Sequence, residues 1–147
     1  RYTWIILSNR LNLNFMSPQD IQKFQAKLLS EKKNIESQLS EFAIKDNTKS
    51  YDFNTKRENL GFSPEDDALE EENFLRNIVI EQALEQRLKE IMESLAKIDN
   101  QTFGICERCH KPIEEAKLEV NPASDFCIAC NKIVSKQQKN IKTQAEY

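Results

Sequence analysis

All four cysteines of the chain lie between Cys106 and Cys130, as Cys106-Glu107-Arg108-Cys109, seventeen residues, then Cys127-Ile128-Ala129-Cys130. Two CxxC pairs at this separation restrict what can fold around them. Each pair aims two thiolates at one tetrahedral ion from a tight turn, and the intervening loop brings the two turns together. The pattern reads as a four-cysteine zinc ribbon that holds one structural Zn2+ through Cys106, Cys109, Cys127 and Cys130. Gly104 and Pro112 frame its first knuckle, and Pro122 precedes the second. Forty-odd residues around such a site bury little apolar area, so the ion supplies much of their folding energy, on the order of 10 kcal/mol.

The rest of the chain is expected to be mostly α. With 2 glycines and 4 prolines in 147 residues, it lacks the tight turns of a sandwich or barrel. A content of 39% hydrophobic and 31% charged residues supports only a modest core. The net charge of -3 gives no general attraction to nucleic acid or to an anionic membrane. No apolar run approaches the roughly 18 residues that span a bilayer, so a soluble protein is expected.

Residues 1–16 read as a leader outside the functional fold, the alternative being an apolar strand or staple packed on the body. Met16-Ser17-Pro18 has the look of a natural start, and Trp4 to Leu7 is too short for a signal-peptide apolar region. Without a secretory signal the cysteines belong in a reducing cytosol, where they bind metal rather than pair as disulfides.

Residues 17–100 are expected to form a long antiparallel helical hairpin. Ser17, Pro18 and Asp20 start the first arm with an N-cap hydroxyl, a proline at the first helical position and an acid at the positive end of the dipole. Ile21, Leu28, Ile35 and Phe42 recur every seven residues, with Phe24 and Leu39 beside them, and the arm ends near Ile44. Asp46 to Ser63 reads as a loop or a frayed helical extension. The second arm begins around Pro64 to Asp67 and reaches about Asn100. Leu84, Leu88, Ile91, Leu95 and Ile98 form its seam, and Phe74 with Ile78 extends it backward. Alternatively the two seams complete a bundle with a second copy of the chain.

Six acids, Glu65, Asp66, Asp67, Glu70, Glu71 and Glu72, crowd the start of the second arm. Acids there complement the helix dipole and solvate a turn. Six exceed what capping needs, and an acidic tip on a stiff arm suits a basic channel or the neighbourhood of a bound metal ion.

Residues 101–147 comprise the four-cysteine zinc finger and a short basic C-terminal helix with Lys132, Lys136, Lys139 and Lys142. His110, beside Cys109, reads as an exposed loop residue rather than a fifth ligand, because four thiolates already complete the site. A redox role for either CxxC is disfavoured, since neither opens a helix within a βαβ pattern.

The run Phe103-Gly104-Ile105-Cys106-Glu107-Arg108-Cys109, followed by Pro112-Ile113, Leu118-Glu119, Pro122 and Cys127-Ile128-Ala129-Cys130, resembles the zinc finger of the DksA/TraR family of bacterial transcription factors. Upstream, Pro64-Glu65-Asp66-Asp67-Ala68, Glu70-Glu71-Glu72-Asn73-Phe74, and Ile21, Phe24 and Leu28 are similar to the family's coiled-coil tip and arms. The resemblance covers roughly Met16 to Lys142.

It implies a cytoplasmic bacterial regulator that binds RNA polymerase and inserts its coiled-coil tip through the secondary channel to alter transcription initiation, often with the alarmone ppGpp. Ser63, Pro64, Asp66, Asp67 and Ala68 are the tip residues so implied, Asp66 and Ala68 falling on the family's Asp-x-x-Asp-x-Ala motif. The chain departs from the family in three ways. The first acid of that motif is Ser63 here, and the connection before the tip is several residues longer than in the best-known members. Positions that are basic in ppGpp-responsive members fall on Glu90, Asn121 and Asn131, so ppGpp dependence through that site is expected to be weak or absent. Catalytic residues are not expected, because the chain offers no Ser/His/Asp set, no phosphate loop and no open position on its metal. Neither sequence-specific DNA binding nor a membrane contact is expected. Two other readings are a zinc-ribbon adaptor that binds protein or nucleic acid through Lys132 to Lys142, and a thiol redox protein.

Overall fold

The computed structural model describes residues 16–46, 51–57, 59, 61 and 63–145, with residues 138–145 described by their backbone alone. The expected leader therefore lies, apart from Met16, outside the described residues. Two long helices dominate the chain, α1 at Pro18–Phe42 and α2 at Pro64–Asp99. Between them come two short strands, β1 at Ala43–Lys45 and β2 at Phe53–Thr55. Beyond α2 follow α3 at Glu115–Val120 and α4 at Ile128–Ala145.

Both long helices begin with the same local device, in which a serine precedes a proline and an aspartate follows two residues later. At α1 the Ser17 hydroxyl accepts from the Asp20 backbone N–H at 3.1 Å and donates to the Asp20 carboxylate at 2.5 Å. At α2 the Ser63 hydroxyl accepts from Asp66 N–H at 3.1 Å, while Ser63 N–H donates back to Asp66 Oδ2 at 3.4 Å. The α2 start is thus a reciprocal capping box, and in both helices the proline sits where its missing N–H costs nothing.

Contacts group the chain into two compact units, one built from the described residues up to Leu28 and from Glu93 onward, the other from Leu29 to Met92. In the second unit α1 and α2 form a helical hairpin. Its buried residues are the expected seam: Ile35 and Leu39 from α1, Leu88 and Ile91 from α2. Arg87 fixes their relation with a two-pronged bond to Glu31, Nε to Oε1 at 2.7 Å and Nη2 to Oε2 at 3.1 Å. That bond, working against partial burial, keeps the guanidinium charge firmly in place.

The connection differs from the loop or frayed helix expected over Asp46 to Ser63, and α1 stops at Phe42 rather than near Ile44. Ala43–Lys45 pairs antiparallel with Phe53–Thr55, in the register Ala43 to Thr55, Ile44 to Asn54 and Lys45 to Phe53. Ala43 and Phe53 are the buried members of their strands. A two-stranded ribbon is marginal alone, and α2 holds this one. Glu85 Oε1 accepts from Phe53 N–H at 2.5 Å, and Glu81 accepts from the Thr55 hydroxyl. Arg57 then lies 4.3 Å from the Phe74 ring centroid and pairs with Glu71 at 2.7 Å.

The first unit has its own core of Phe24, Ile113 and Leu118 with three of the four cysteines, Cys106, Cys127 and Cys130; Met16, Phe103, Cys109 and Phe126 pack against it. The C-terminal helix starts inside the second CxxC, at Ile128, rather than after Cys130. Among the described residues no helix is long and apolar enough to cross a membrane.

Because Leu88 is fully buried in the seam, Leu88→Ala should lower stability by about 2–5 kcal/mol. The exposed Leu75→Ala should change it by no more than about 0.5 kcal/mol. Urea unfolding followed by circular dichroism measures both, and equal losses would show that the seam is not the hairpin's core.

Candidate metal centre and acidic helix start

The first knuckle is shaped by backbone bonds. Ile113 N–H donates to Gly104 O at 2.8 Å, Cys106 N–H to Lys111 O at 2.8 Å, and His110 N–H to Cys106 O at 2.9 Å, with Ile105 bridged to Pro112. Gly104 has a φ of +79°, which favours glycine, and a Cβ there would lie 3.0 Å from Met16 Sδ and make that side chain give way. His110 turns the chain at a φ of +55° and is exposed, as expected for a loop residue outside the ligand set.

The second knuckle is the start of α4. Cys127 precedes the helix and Cys130 lies in its first turn, with Cys130 N–H donating to Cys127 Sγ at 3.4 Å. Glu114 caps the same helix from outside, accepting from Ile128 N–H at 3.1 Å. Its own and the Ile128 backbone N–H hold the Glu114 carboxyl below its ordinary range.

The four Sγ atoms all lie within 4.8 Å of one another. Cys109 Sγ and Cys127 Sγ are 3.8 Å apart, which is the edge of a tetrahedron whose Zn–S bonds measure about 2.3 Å. Burial opposes a thiolate at Cys106, but backbone N–H groups of Cys127, Cys109 and Arg108 outweigh it and bring the thiol down to about 6. Cys130 goes the other way, pushed up to about 12 by its hydrogen bond with Cys127 and by burial. Four thiols sharing so small a space cannot all ionise unless a cation compensates them, and a divalent soft metal does so. The donor set fits one structural zinc ion with no open position.

Several residues that sequence reasoning missed hold the knuckles in place. Lys97, in the last turn of α2, reaches Glu107 of the first knuckle at 2.8 Å and also Asp125 just before the second. Glu107 N–H donates to Asp125 O at 2.9 Å, and Lys117 donates to Phe126 O. Phe24 from α1 closes the assembly, its ring 5.9 Å from that of Phe103. A lone lysine near a helix end carries no signal of these partners, the further of which is 28 residues away in sequence and is brought to it only by the folded ribbon.

At the start of α2, Ser63 and Asp66 are half-buried and engaged with each other, while Pro64, Glu65, Asp67 and Ala68 are exposed. Gly61 makes room for this arrangement, since a Cβ on it would overlap Asp66 Oδ2. The carboxylates that face outward from this turn are therefore those of Glu65 and Asp67.

Cys127→Ser should abolish stoichiometric zinc, remove the organised core of the ribbon and leave the hairpin helical, as read by metal analysis and far-ultraviolet circular dichroism. Protons compete with zinc for the thiolates. The Cys106 value of about 6 lies below its ordinary one, so its contribution is complete above the ordinary range and is lost as pH falls through about 6. Zinc capture by a chromogenic chelator should be markedly faster at pH 5 than at pH 7.5, and a pH-independent rate would contradict a thiolate site.

The family model described as the prokaryotic DksA/TraR C4-type zinc finger matches residues 101–134. Over 81 residues the chain is 36% identical to the RNA polymerase-binding transcription factor DksA of Escherichia coli strain K12, covering 53% of this chain and 52% of that protein. The DksA of Haemophilus influenzae matches equally, at 36% over 81 residues, covering 53% and 54%. The chain thus aligns with about half the length of these curated relatives. The solved structure of transcription factor DksA2 from Pseudomonas aeruginosa has the same fold, with a TM-score of 0.66 at 16% identity over 90% of this chain and 96% of that one. With its four clustered cysteines and these matches, the chain carries over residues 101–134 a C4-type zinc finger similar to that of the DksA/TraR family, and its fold is that of the DksA2 structure.

Proposed function

We propose that this protein is a DksA-like transcription regulator of the bacterial cytoplasm. It binds RNA polymerase and inserts the acidic start of α2 into the secondary channel to alter initiation. The observation that carries this reading is the 36% identity over 81 residues to relatives named for binding RNA polymerase. Supporting it is a helical hairpin whose second arm starts at Pro64, with the tip residues Ser63, Pro64, Asp66, Asp67 and Ala68 gathered there and Pro64, Asp67 and Ala68 exposed. In this role zinc is structural, and the protein modifies the polymerase's chemistry without catalysing any.

The capping box assigns separate tasks to the acids of that turn. Asp66 orders the backbone through Ser63, and Asp67 and Glu65 offer their carboxylates to the partner. Acidic groups so placed act on a cationic environment such as a catalytic Mg2+ and its basic channel. The effect of ppGpp through the family's usual positions is expected to be weak or absent. Glu90 is occupied by Arg87 and Gln86, Asn121 Oδ1 accepts from Ala123 N–H at 3.2 Å, and neither they nor Asn131 supplies a cation for a polyphosphate.

Replacing the catalytic Mg2+ of RNA polymerase by Fe2+ and generating hydroxyl radicals should cut end-labelled protein around residues 63–68. Binding without cuts there would leave an adaptor on the outer surface. Strong salt-dependent binding to DNA alone would favour the basic C-terminal helix as the working surface instead. Calorimetric titration of ppGpp into polymerase with and without the protein should give the same affinity, and a large gain would contradict the reading of Glu90, Asn121 and Asn131.

A further inference from the structure

The start of α2 projects beyond the helix that accompanies it. From the Glu31 to Arg87 bond, α1 continues eleven residues to Phe42, whereas α2 traced back to Pro64 continues for twenty-three. At 1.5 Å per residue the first turns of α2 therefore extend roughly 18 Å past the end of α1. The segment Phe53 to Arg57 lies along α2 on the way there. Phe53 bonds to Glu85, Thr55 to Glu81, and Arg57 to Glu71 and the Phe74 ring. As the segment advances its partners step back along α2, so it runs antiparallel to the helix and toward the acidic turn. Of the segment's contacts, those of Arg57 lie nearest that turn.

This projecting stretch of helix opposes itself. Asp66 with Glu70 and Asp67 with Glu71 place like charges four residues apart, which weakens a helix. The helix dipole favours acids in its first turn, so it offsets Glu65, Asp66 and Asp67 far more than Glu71 or Glu72. Arg57 supplies a cation where the dipole fades. Its Nη1 donates to Glu71 Oε2 at 2.7 Å, and its guanidinium carbon lies 4.3 Å from the Phe74 ring centroid, well within cation–π range. The two side chains of the ion pair are 57% and 50% exposed. A pair so exposed adds little to the stability of the whole fold, and its effect is confined to the turns it joins.

We infer that Arg57 is a positioning residue for the acidic turn: held on Phe74 and Glu71, it keeps the first turns of α2 helical and so fixes where Glu65 and Asp67 stand. What that turn enters rests on the reading above, in which the partner is RNA polymerase; the grip of Arg57 on α2 does not. Lysine is an incomplete substitute, because it keeps the charge toward Glu71 but lacks the planar group that lies on the ring.

Amide hydrogen exchange of the full-length, zinc-loaded protein compares wild type with Arg57→Ala and Arg57→Lys. Amides of residues 68–74 should exchange about threefold to tenfold faster in Arg57→Ala, while those of Leu88 and Ile91 and the urea midpoint stay unchanged. Arg57→Lys should fall between the two. On saturating RNA polymerase carrying Fe2+, the cuts at residues 63–68 should weaken and spread in Arg57→Ala and be partly restored in Arg57→Lys. Unchanged exchange at residues 68–74 would overturn the inference. Faster exchange spread equally over the seam would also overturn it, by making Arg57 a general stabilising residue. Faster local exchange with an unaltered cutting pattern would overturn the positioning role. If wild type itself gives no cuts, the channel reading falls, and the exchange at residues 68–74 alone decides whether Arg57 holds the turn.

Discussion

The convergence of four thiolates on a space less than 5 Å across is the constraint around which the first unit is built. Its core has few large side chains, and three of the cysteines are counted among its buried members. Without a cation the same cluster is self-opposing, with one thiol favoured as thiolate and another strongly suppressed. Zinc turns that conflict into the principal folding interaction of the unit, and the surrounding bonds are arranged to present the ligands rather than to replace the ion. Lys97, Glu107 and Asp125 form a small ion network across both knuckles, and Gly104 lets the first knuckle close on Met16.

The hairpin unit rests on different physics. There the apolar seam supplies the attraction, the Glu31 to Arg87 bond fixes how the helices pair, and the ribbon between them is held by carboxylates of α2. No metal is needed for any of these contacts. Loss of zinc and loss of the seam are therefore separable events, each felt first in its own unit.

Much of this is legible in the chain. The cysteine spacing locates the metal centre because tetrahedral ligation leaves little freedom in sequence, and the seven-residue recurrence from Ile21 to Phe42 traces the α1 seam because helix geometry repeats at that interval. The ribbon of Ala43–Lys45 and Phe53–Thr55 is not legible. Three-residue strands carry almost no periodic signal, and what anchors them is Glu81 and Glu85, some 26 and 32 residues further along. Lys97 is equally silent, being an ordinary basic residue in a last helical turn until Glu107 and Asp125 are brought to it. The α2 cap is an intermediate case. Ser63-Pro64-Glu65-Asp66 repeats the pattern of Ser17-Pro18-Gln19-Asp20, yet beside so many acids it draws notice for the carboxylate that Ser63 lacks rather than for the hydroxyl it has.

That hydroxyl changes how the acidic turn is understood. A helix start must satisfy its leading N–H groups, and at α2 Ser63 takes the Asp66 N–H while the Asp66 carboxylate returns to the Ser63 N–H. The exchange uses one carboxylate of the cluster locally and draws it toward the backbone, so close to Gly61 that a larger residue there would push the Asp66 carboxylate out of this position. Serine at position 63 therefore removes a charge from the turn without loosening it, and the outward charge passes to Glu65 and Asp67. Which carboxylates of this turn are exposed is decided by the capping geometry, so counting acids in the sequence overstates how many face outward.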